Sequence, residues 1–156
     1  MKTIREQIIE RIIAQLETIT TMNGYENDIG IGQVYREQAV IEQQQPPAIG
    51  IWELSEIRER NRFGGTVRTL TIRIEALVEV NGDKNPAEVS NGLLGDIEKA
   101  LIFGDTTLDE LIDDIQDVSA EITHLPPQEH LAGASIDFEI QYTTEWGNPY
   151  TNDFVR

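Results

Sequence analysis

The chain has 156 residues and a formal net charge of −16, from 12 basic and 28 acidic side chains. This acidity argues against a protein that coats nucleic acid or docks on anionic lipid, because both need a basic surface. The absence of cysteine excludes disulfides, thiolate metal sites and cysteine nucleophiles. We expect one domain over residues 1–156 and a cytoplasmic origin, since no apolar run matches a membrane span or a signal peptide.

Residues 3–20 are the first predicted element, an amphipathic helix. Its apolar stripe repeats at spacings of three and four and consists of Ile4, Ile8, Ile12, Leu16 and Ile19. Thr3 followed by Glu6 fits a capping box at the start of the helix. Residues 31–42 then predict a strand with imperfect alternation, and residues 48–54 predict a second strand.

Residues 55–65 are predicted to form a mobile, exposed loop, because the segment is charged and ends in two glycines. Residues 66–80 alternate apolar and polar side chains and predict a long strand. Residues 67–80 as one strand would span about 46 Å, against a diameter of about 40 Å for a domain of this size. A strand that projects from the domain with the loop at its tip, and a bent strand inside the domain, both fit this length.

The second half of the chain predicts two helices and two strands. Asn85 followed by Pro86 marks the start of a helix that runs to Gly104, and Thr107 with Glu110 predicts a short helix to about Asp113. Residues 115–123 predict a weak strand and residues 134–144 a strong one. The order predicts an α+β fold, with a mainly antiparallel sheet of four to five strands, two longer helices packed on one face and one short helix.

No pattern in the sequence points to catalysis. His124 and His130 do not have a zinc-binding spacing, and the acidic segment 109–117 lacks the turn glycine and terminal Glu of a calcium loop. Nucleophile-elbow, phosphate-loop and dinucleotide-binding motifs are absent from the sequence. We therefore expect a protein that is not an enzyme, with no catalytic, metal or cofactor residue.

The candidate functional residues are instead those of a subunit or partner interface. The arginines of the loop are locally concentrated positive charge and could pair with the acidic segment 109–117 of a neighbouring subunit. The tail, residues 145–156, holds three aromatic side chains, which usually dock on a surface. The predicted interface residues are Arg58, Arg60, Arg62, Phe63, Asp109, Asp113, Trp146, Tyr150 and Phe154.

Four segments in order resemble the tail terminator, or tail completion, proteins of tailed bacteriophages. They are the Ile-rich helix around residues 8–12, the stretch 34–49 that leads to the charged loop and long strand, the helix residues 96–101, and the closing strand 136–142 with Asn148-Pro149-Tyr150. The family pattern has Asp before the final Pro-Tyr, where this chain has Asn148. The resemblance covers nearly the full length.

The resemblance implies a virion structural protein that assembles into a ring, typically a hexamer. Such a ring caps the tail tube, ends tail assembly and provides the face for head joining. Its partners would be the tail tube protein, the head-completion protein and, in contractile tails, the sheath protein, with no membrane involved. Genome DNA would pass through the channel without specific binding, which an acidic channel favours. The protein would reside in the host cytoplasm during assembly and then at the head-proximal end of the tail.

Three other functions fit the same sequence. One is another phage neck or head–tail joining protein, which shares this size and acidity. The others are a generic acidic α+β oligomer and a hydrolase that uses a pair of carboxylates. The size of the native particle separates an assembly protein from a monomeric enzyme.

Overall fold

The computed structural model describes residues 1–43 and 45–152, which contain five strands. The strands are β1 (Val34–Arg36), β2 (Ala48–Arg60), β3 (Gly65–Glu79), β4 (Asp114–Thr123) and β5 (Leu131–Glu145). They form one sheet in the order β1-β2-β3-β5-β4. All neighbours are antiparallel except β1 and β2, which are parallel. The predicted α+β fold with a mainly antiparallel sheet is confirmed.

The helices are α1 (Ile4–Leu16), α2 (Val40–Gln43) and α3 (Pro86–Leu101), with short 3-10 turns at Thr21–Asn23 and Pro127–Glu129. Both long helices begin at a side-chain cap that the sequence predicted. Thr3 Oγ1 accepts the Glu6 N–H at 3.0 Å, and Asn85 Oδ1 accepts the Ala87 N–H at 2.8 Å. In the part of the chain that the structure describes, no helix has the length and apolar content to cross a membrane.

The core lies between one face of the sheet and the two long helices. Ile72 and Ile74 of β3 lie opposite Phe138 and Ile136 of β5, and all four side chains are buried. The isoleucine stripe of α1 packs into the same cluster. Burying such a set of large apolar side chains is the main stabilising term of the fold. The predicted alternation of both long strands is confirmed.

The predicted loop 55–65 is wrong over most of its length. Residues 55–60 continue β2 and pair with β3 up to Arg60 opposite Thr66, which leaves a turn of residues 61–64. The alternation fails there because this half of β2 is largely exposed. A strand is then stabilised by backbone pairing with its neighbour rather than by a buried apolar face.

Two other predictions fail for local reasons. In the predicted strand 31–42 only β1 is extended, and Val40 begins the short α2.

In the predicted helix 107–113, the Thr107 hydroxyl does accept the Glu110 N–H at 3.1 Å. However, Leu108 has a φ of 48°, with Asp109 and Glu110 also left-handed, so the chain turns and Leu108 enters the core. The same cap can begin a turn or a helix.

Candidate functional site at the hairpin tip and sheet edges

The tip of the β2–β3 hairpin is a defined turn. Asn61 Oδ1 accepts the backbone N–H groups of Phe63 and Gly65, both at 2.9 Å. Gly64 has a φ of 87°, a left-handed conformation that glycine adopts without strain. The Phe63 side chain remains half-exposed at this tip. The turn therefore presents an aromatic ring from a fixed backbone.

The three predicted arginines lie along the end of this hairpin. Arg58 and Arg60 belong to β2, and Arg62 lies in the turn. Arg58 Nε donates to Glu56 at 2.5 Å, and the Arg60 guanidinium stacks 3.8 Å from the centre of the Trp146 ring. Arg62 lies 5.2 Å from the centre of the Phe63 ring, so all three arginines have partners within the chain. Among the residues that the structure describes, only Arg58 of the three has a carboxylate partner, and the basic patch is therefore partly neutralised.

The C-terminal tail docks on its own domain as far as residue 152. The backbone N–H of Trp146 donates to the Gly64 carbonyl at 2.9 Å, which joins the tail to the hairpin tip. The Pro149 carbonyl accepts the Ile4 N–H at 2.9 Å, at the start of α1. The side chains of Trp146 and Tyr150 are about half-exposed. The remaining predicted tail residue, Phe154, lies outside the described residues.

A buried carboxylate, Glu56, lies behind the tip. Its side chain is 4% exposed and accepts hydrogen bonds from the Tyr142 hydroxyl and Arg58. Burial alone would raise the pKa of Glu56, but these hydrogen bonds and the nearby arginines hold it below its ordinary value. Burial and the Glu56 carboxylate raise the pKa of the Tyr142 hydroxyl. Glu56 is therefore ionised, and Tyr142 is a donor, at neutral pH.

The same network joins α1 to β1 and β2. Arg5 Nε donates to Glu53 at 3.1 Å, and Arg36 Nε donates to the other oxygen of Glu53 at 2.9 Å. Arg36 also makes a two-point contact with Glu6, at 2.7 and 2.9 Å. The hydrogen bonds from Arg36 lower the pKa of Glu6. Because each carboxylate has an arginine, these charges are satisfied at the margin of the core.

Sequence reasoning missed this network, although one signal was present. Arg68 occupies an even-numbered position of β3, in register with the buried residues Leu70 and Ile72. A cation on the apolar side of an alternating strand implies a buried anionic partner. That partner, Glu56, comes from the segment that the sequence predicted as a loop.

The predicted acidic residues of the segment 109–117 have partners inside the chain. Asp109 pairs with Arg11 of α1, and Asp113 accepts a hydrogen bond from the Thr143 hydroxyl at 2.6 Å. Their pairing with the arginines of a neighbouring subunit stays a prediction. Further exposed acids lie on β4, which carries Asp114, Asp117 and Glu121 and no basic residue.

Over the described residues, the sheet has two open edges, one on β2 and one on β4. Because β1 covers β2 only at Ile49–Ile51, the outer side of β2 from Leu54 to Arg60 has no partner strand there. At the other end of the sheet, β4 pairs only with β5, through a register shift between Asp117 and Ser119. Both edges bear exposed apolar side chains: Ile57 on β2, at 74% exposure, and Val118 on β4. Open edges can template strand pairing with another chain.

The rest of the surface includes both histidines and a further ion pair. His124 and His130 are exposed, and no group of three or more His, Asp or Glu within residues 1–43 and 45–152 is placed to hold a metal ion. On the outer face of the sheet, Arg73 makes a two-point contact with Asp137 at 2.9 and 3.1 Å. This pair lines an open depression and has the geometry of a surface ion pair.

Comparison of the sequence with models of protein families and with curated proteins found no match.

Proposed function

We propose that this protein is a non-enzymatic virion subunit that forms a ring, caps a bacteriophage tail tube, ends tail assembly and offers the face for head joining. The four-segment resemblance to tail terminator proteins supports this function. The observation that carries it is the pair of open strand edges, which lie at opposite ends of one sheet and differ in charge.

Two different edges favour head-to-tail assembly. A contact between unlike surfaces repeats from copy to copy and closes into a ring when the rotation allows. The open edge of β2 would pair with β4 of the next subunit, as strands added to an exposed edge do. Ile57 and Val118 would supply apolar contact at that junction.

Charge would set the register of this contact. The end of the hairpin carries Arg58, Arg60 and Arg62, whereas β4 has only acidic charges. Exposed ion pairs contribute only about 0.2–1 kcal/mol each, so backbone pairing and apolar contact would provide most of the affinity. The long-range repulsion between subunits of charge −16 would oppose assembly in the absence of a template.

The half-exposed aromatic side chains near the tip suit contact with a partner. Phe63, Trp146 and Tyr150 combine large apolar area with low rotamer freedom, the profile of interface anchors. In this proposal they contact the tail tube protein or the head-completion protein, and the sheath protein in a contractile tail. The acidic ring would let DNA pass without binding it.

Electron microscopy of the purified protein, alone and with tail tubes, tests the proposal. We expect rings in solution, or rings only at the ends of tubes. Particles that stay monomeric in both conditions would contradict the proposed function. Binding to head-completion protein without any binding to tubes would replace it with a head–tail joining role.

A further inference from the structure

An open pocket of about 380 Å³ lies where α1 begins, beside β2, β3 and the tail. Three arginines from three elements line it: Arg5 of α1, Arg58 of β2 and Arg68 of β3. The rest of the lining includes Thr3, the cap of α1, with Tyr142 and Pro149. The N-terminal end of α1 adds the positive end of the helix dipole to this site. A basic pocket stands out in a chain of charge −16.

Arg68 provides an independent sign of a ligand. Its side chain is only 9% exposed, and within the described residues its buried Nε has no hydrogen-bond partner. Its NH1 nitrogen has a long contact of 3.5 Å with Glu56. A buried donor without an acceptor is unfavourable, so an acceptor supplied from outside would be stabilising.

Arg58 offers further donors to the same pocket. It uses its Nε for Glu56, and its side chain is 56% exposed. Its terminal nitrogens make no other polar contact in the part of the chain that the structure describes. A guanidinium presents paired N–H groups that match the two oxygens of a carboxylate.

The charge balance of the connected network indicates the charge of the ligand. Four arginines (Arg5, Arg36, Arg58 and Arg68) are linked to three glutamates (Glu6, Glu53 and Glu56). One positive charge is therefore left over. A single carboxylate would neutralise it, whereas a dianionic phosphate would leave an excess of negative charge beside Glu56.

From this juxtaposition we propose that the pocket between Arg58, Arg68 and Tyr142 binds one carboxylate group on a short aliphatic stem. The carboxylate is either an acidic side chain of another copy of the chain or a free carboxylate from solution. The arginines hold its oxygens, and the Tyr142 ring and Pro149 contact the stem. This site does not require the ring.

Nuclear magnetic resonance of the arginine Nε–H groups tests the proposal on the intact protein. Sodium acetate is titrated at constant ionic strength, with sodium chloride as the matched salt. We expect a saturable shift of the Arg68 and Arg58 Nε–H signals with acetate and none with chloride. The proposal would be overturned if neither acetate nor a peptide of residues 114–123 gave a saturable shift. An equal response to chloride would also overturn it, as would tighter binding of inorganic phosphate than of acetate.

Two variants check that the signal comes from this pocket. Arg58→Gln should weaken acetate binding about tenfold, as expected for the loss of one charge-assisted hydrogen bond. It is chosen because Arg58 is exposed, whereas replacing buried Arg68 could prevent folding. Arg73→Gln, on the opposite face of the sheet, should leave the affinity unchanged. Equal affinities for the two variants would contradict the assignment.

A peptide with the sequence of Asp114–Thr123 distinguishes the sources of the carboxylate. Saturable binding tighter than that of acetate supports an acidic side chain of another copy. Binding no tighter than that of acetate supports a free carboxylate from solution. The acetate titration does not depend on ring formation, so its failure would count against this site and leave the proposed function untouched.

Discussion

At the scale of single residues, Glu56 lies at the centre of a charge network. It joins α1, β2, β3 and β5 through contacts to Arg5, Arg58, Arg68 and Tyr142. Removing one partner from a buried charge network leaves the others without compensation. The stability of the hairpin base should therefore depend on this one carboxylate.

Glu56→Gln should lower the free energy of unfolding by about 3 kcal/mol, because Arg58 and Arg68 lose their anionic partner. Urea unfolding at neutral pH measures the change. Glu59→Gln, on an exposed side chain of the same strand, is the control and should change it by less than about 0.5 kcal/mol. Similar effects of both substitutions would show that Glu56 has no special role.

The pH dependence of stability should reveal the same carboxylate. The pKa of Glu56 in the folded protein lies below its ordinary value of 4.5, so the unfolded chain binds protons first as the pH falls. Its stabilisation is complete above about pH 4.5 and is lost as the pH falls through the folded value. Glu6 contributes with the same sign. As the pH falls, the free energy of unfolding should decrease more steeply for the wild type than for Glu56→Gln. Equal slopes for the two proteins would contradict this.

At the scale of elements, the two faces of β3 should differ in their tolerance of charged substitutions. Ile72 faces the helices and is fully buried, whereas its neighbour Thr71 points to the other face. β3 also lies between β2 and β5, so its backbone pairs on both sides. A charged substitution on the Ile72 face should therefore affect folding more than one at Thr71.

Ile72→Asp should prevent folding, because an unpaired charge in the core costs about 4 kcal/mol or more, a large share of the stability of a domain. Thr71→Asp, one position away, should give a folded protein. Circular dichroism and thermal unfolding compare the two. A cooperative unfolding transition in the Ile72→Asp protein would reject the assignment of faces.

The open edge of β2 gives a second prediction about an element. Residues 55–60 pair with β3 on one side only, so backbone amides that point to β3 should exchange slowly and those that point outward should exchange fast. In assembled protein the outward amides should become protected as well. Hydrogen exchange resolved by residue measures both states. Fast exchange of the outward amides after assembly would show that this edge is not the contact.

At the scale of the whole molecule, charge is unevenly distributed around the sheet. The end of the hairpin holds three arginines, and the distant edge strand β4 holds three carboxylates. Electrostatic complementarity of this kind sets orientation and register more than affinity. If the proposed ring forms through these edges, reversal of one charge set should be harmful and reversal of both should be tolerated.

Changing Arg58, Arg60 and Arg62 together to Glu should abolish assembly. Because Arg58 also contacts Glu56, urea unfolding checks that the variant monomer is folded. Changing Asp114, Asp117 and Glu121 to Lys in the same chain should restore assembly, because the reversed charges again attract. Light scattering and electron microscopy measure the size of the particles.

The matched control changes Lys2, Arg73 and Lys84 to Glu, which alters the net charge equally at other places. It should assemble more readily than the hairpin variant. Rings formed by the hairpin variant would show that these arginines are not the contact.

The sequence by itself determined the elements that bury one apolar face. The stripe of α1, the caps at Thr3 and Asn85, and the alternation of β3 and β5 were all predicted and are present. Each depends on contacts or hydrogen bonds whose partners lie a few residues apart or repeat with a fixed period. Such local signals can be recognised in the sequence without knowledge of the fold.

Only the tertiary structure decided the outer half of β2 and the site behind it. Residues 55–60 are a strand because β3 lies beside them, although their own side chains give no alternation. Arg68 and Tyr142 meet Glu56 only when β2, β3 and β5 come into register. Pairings between residues so far apart in the chain depend on the packing of the whole sheet, which periodicity cannot specify.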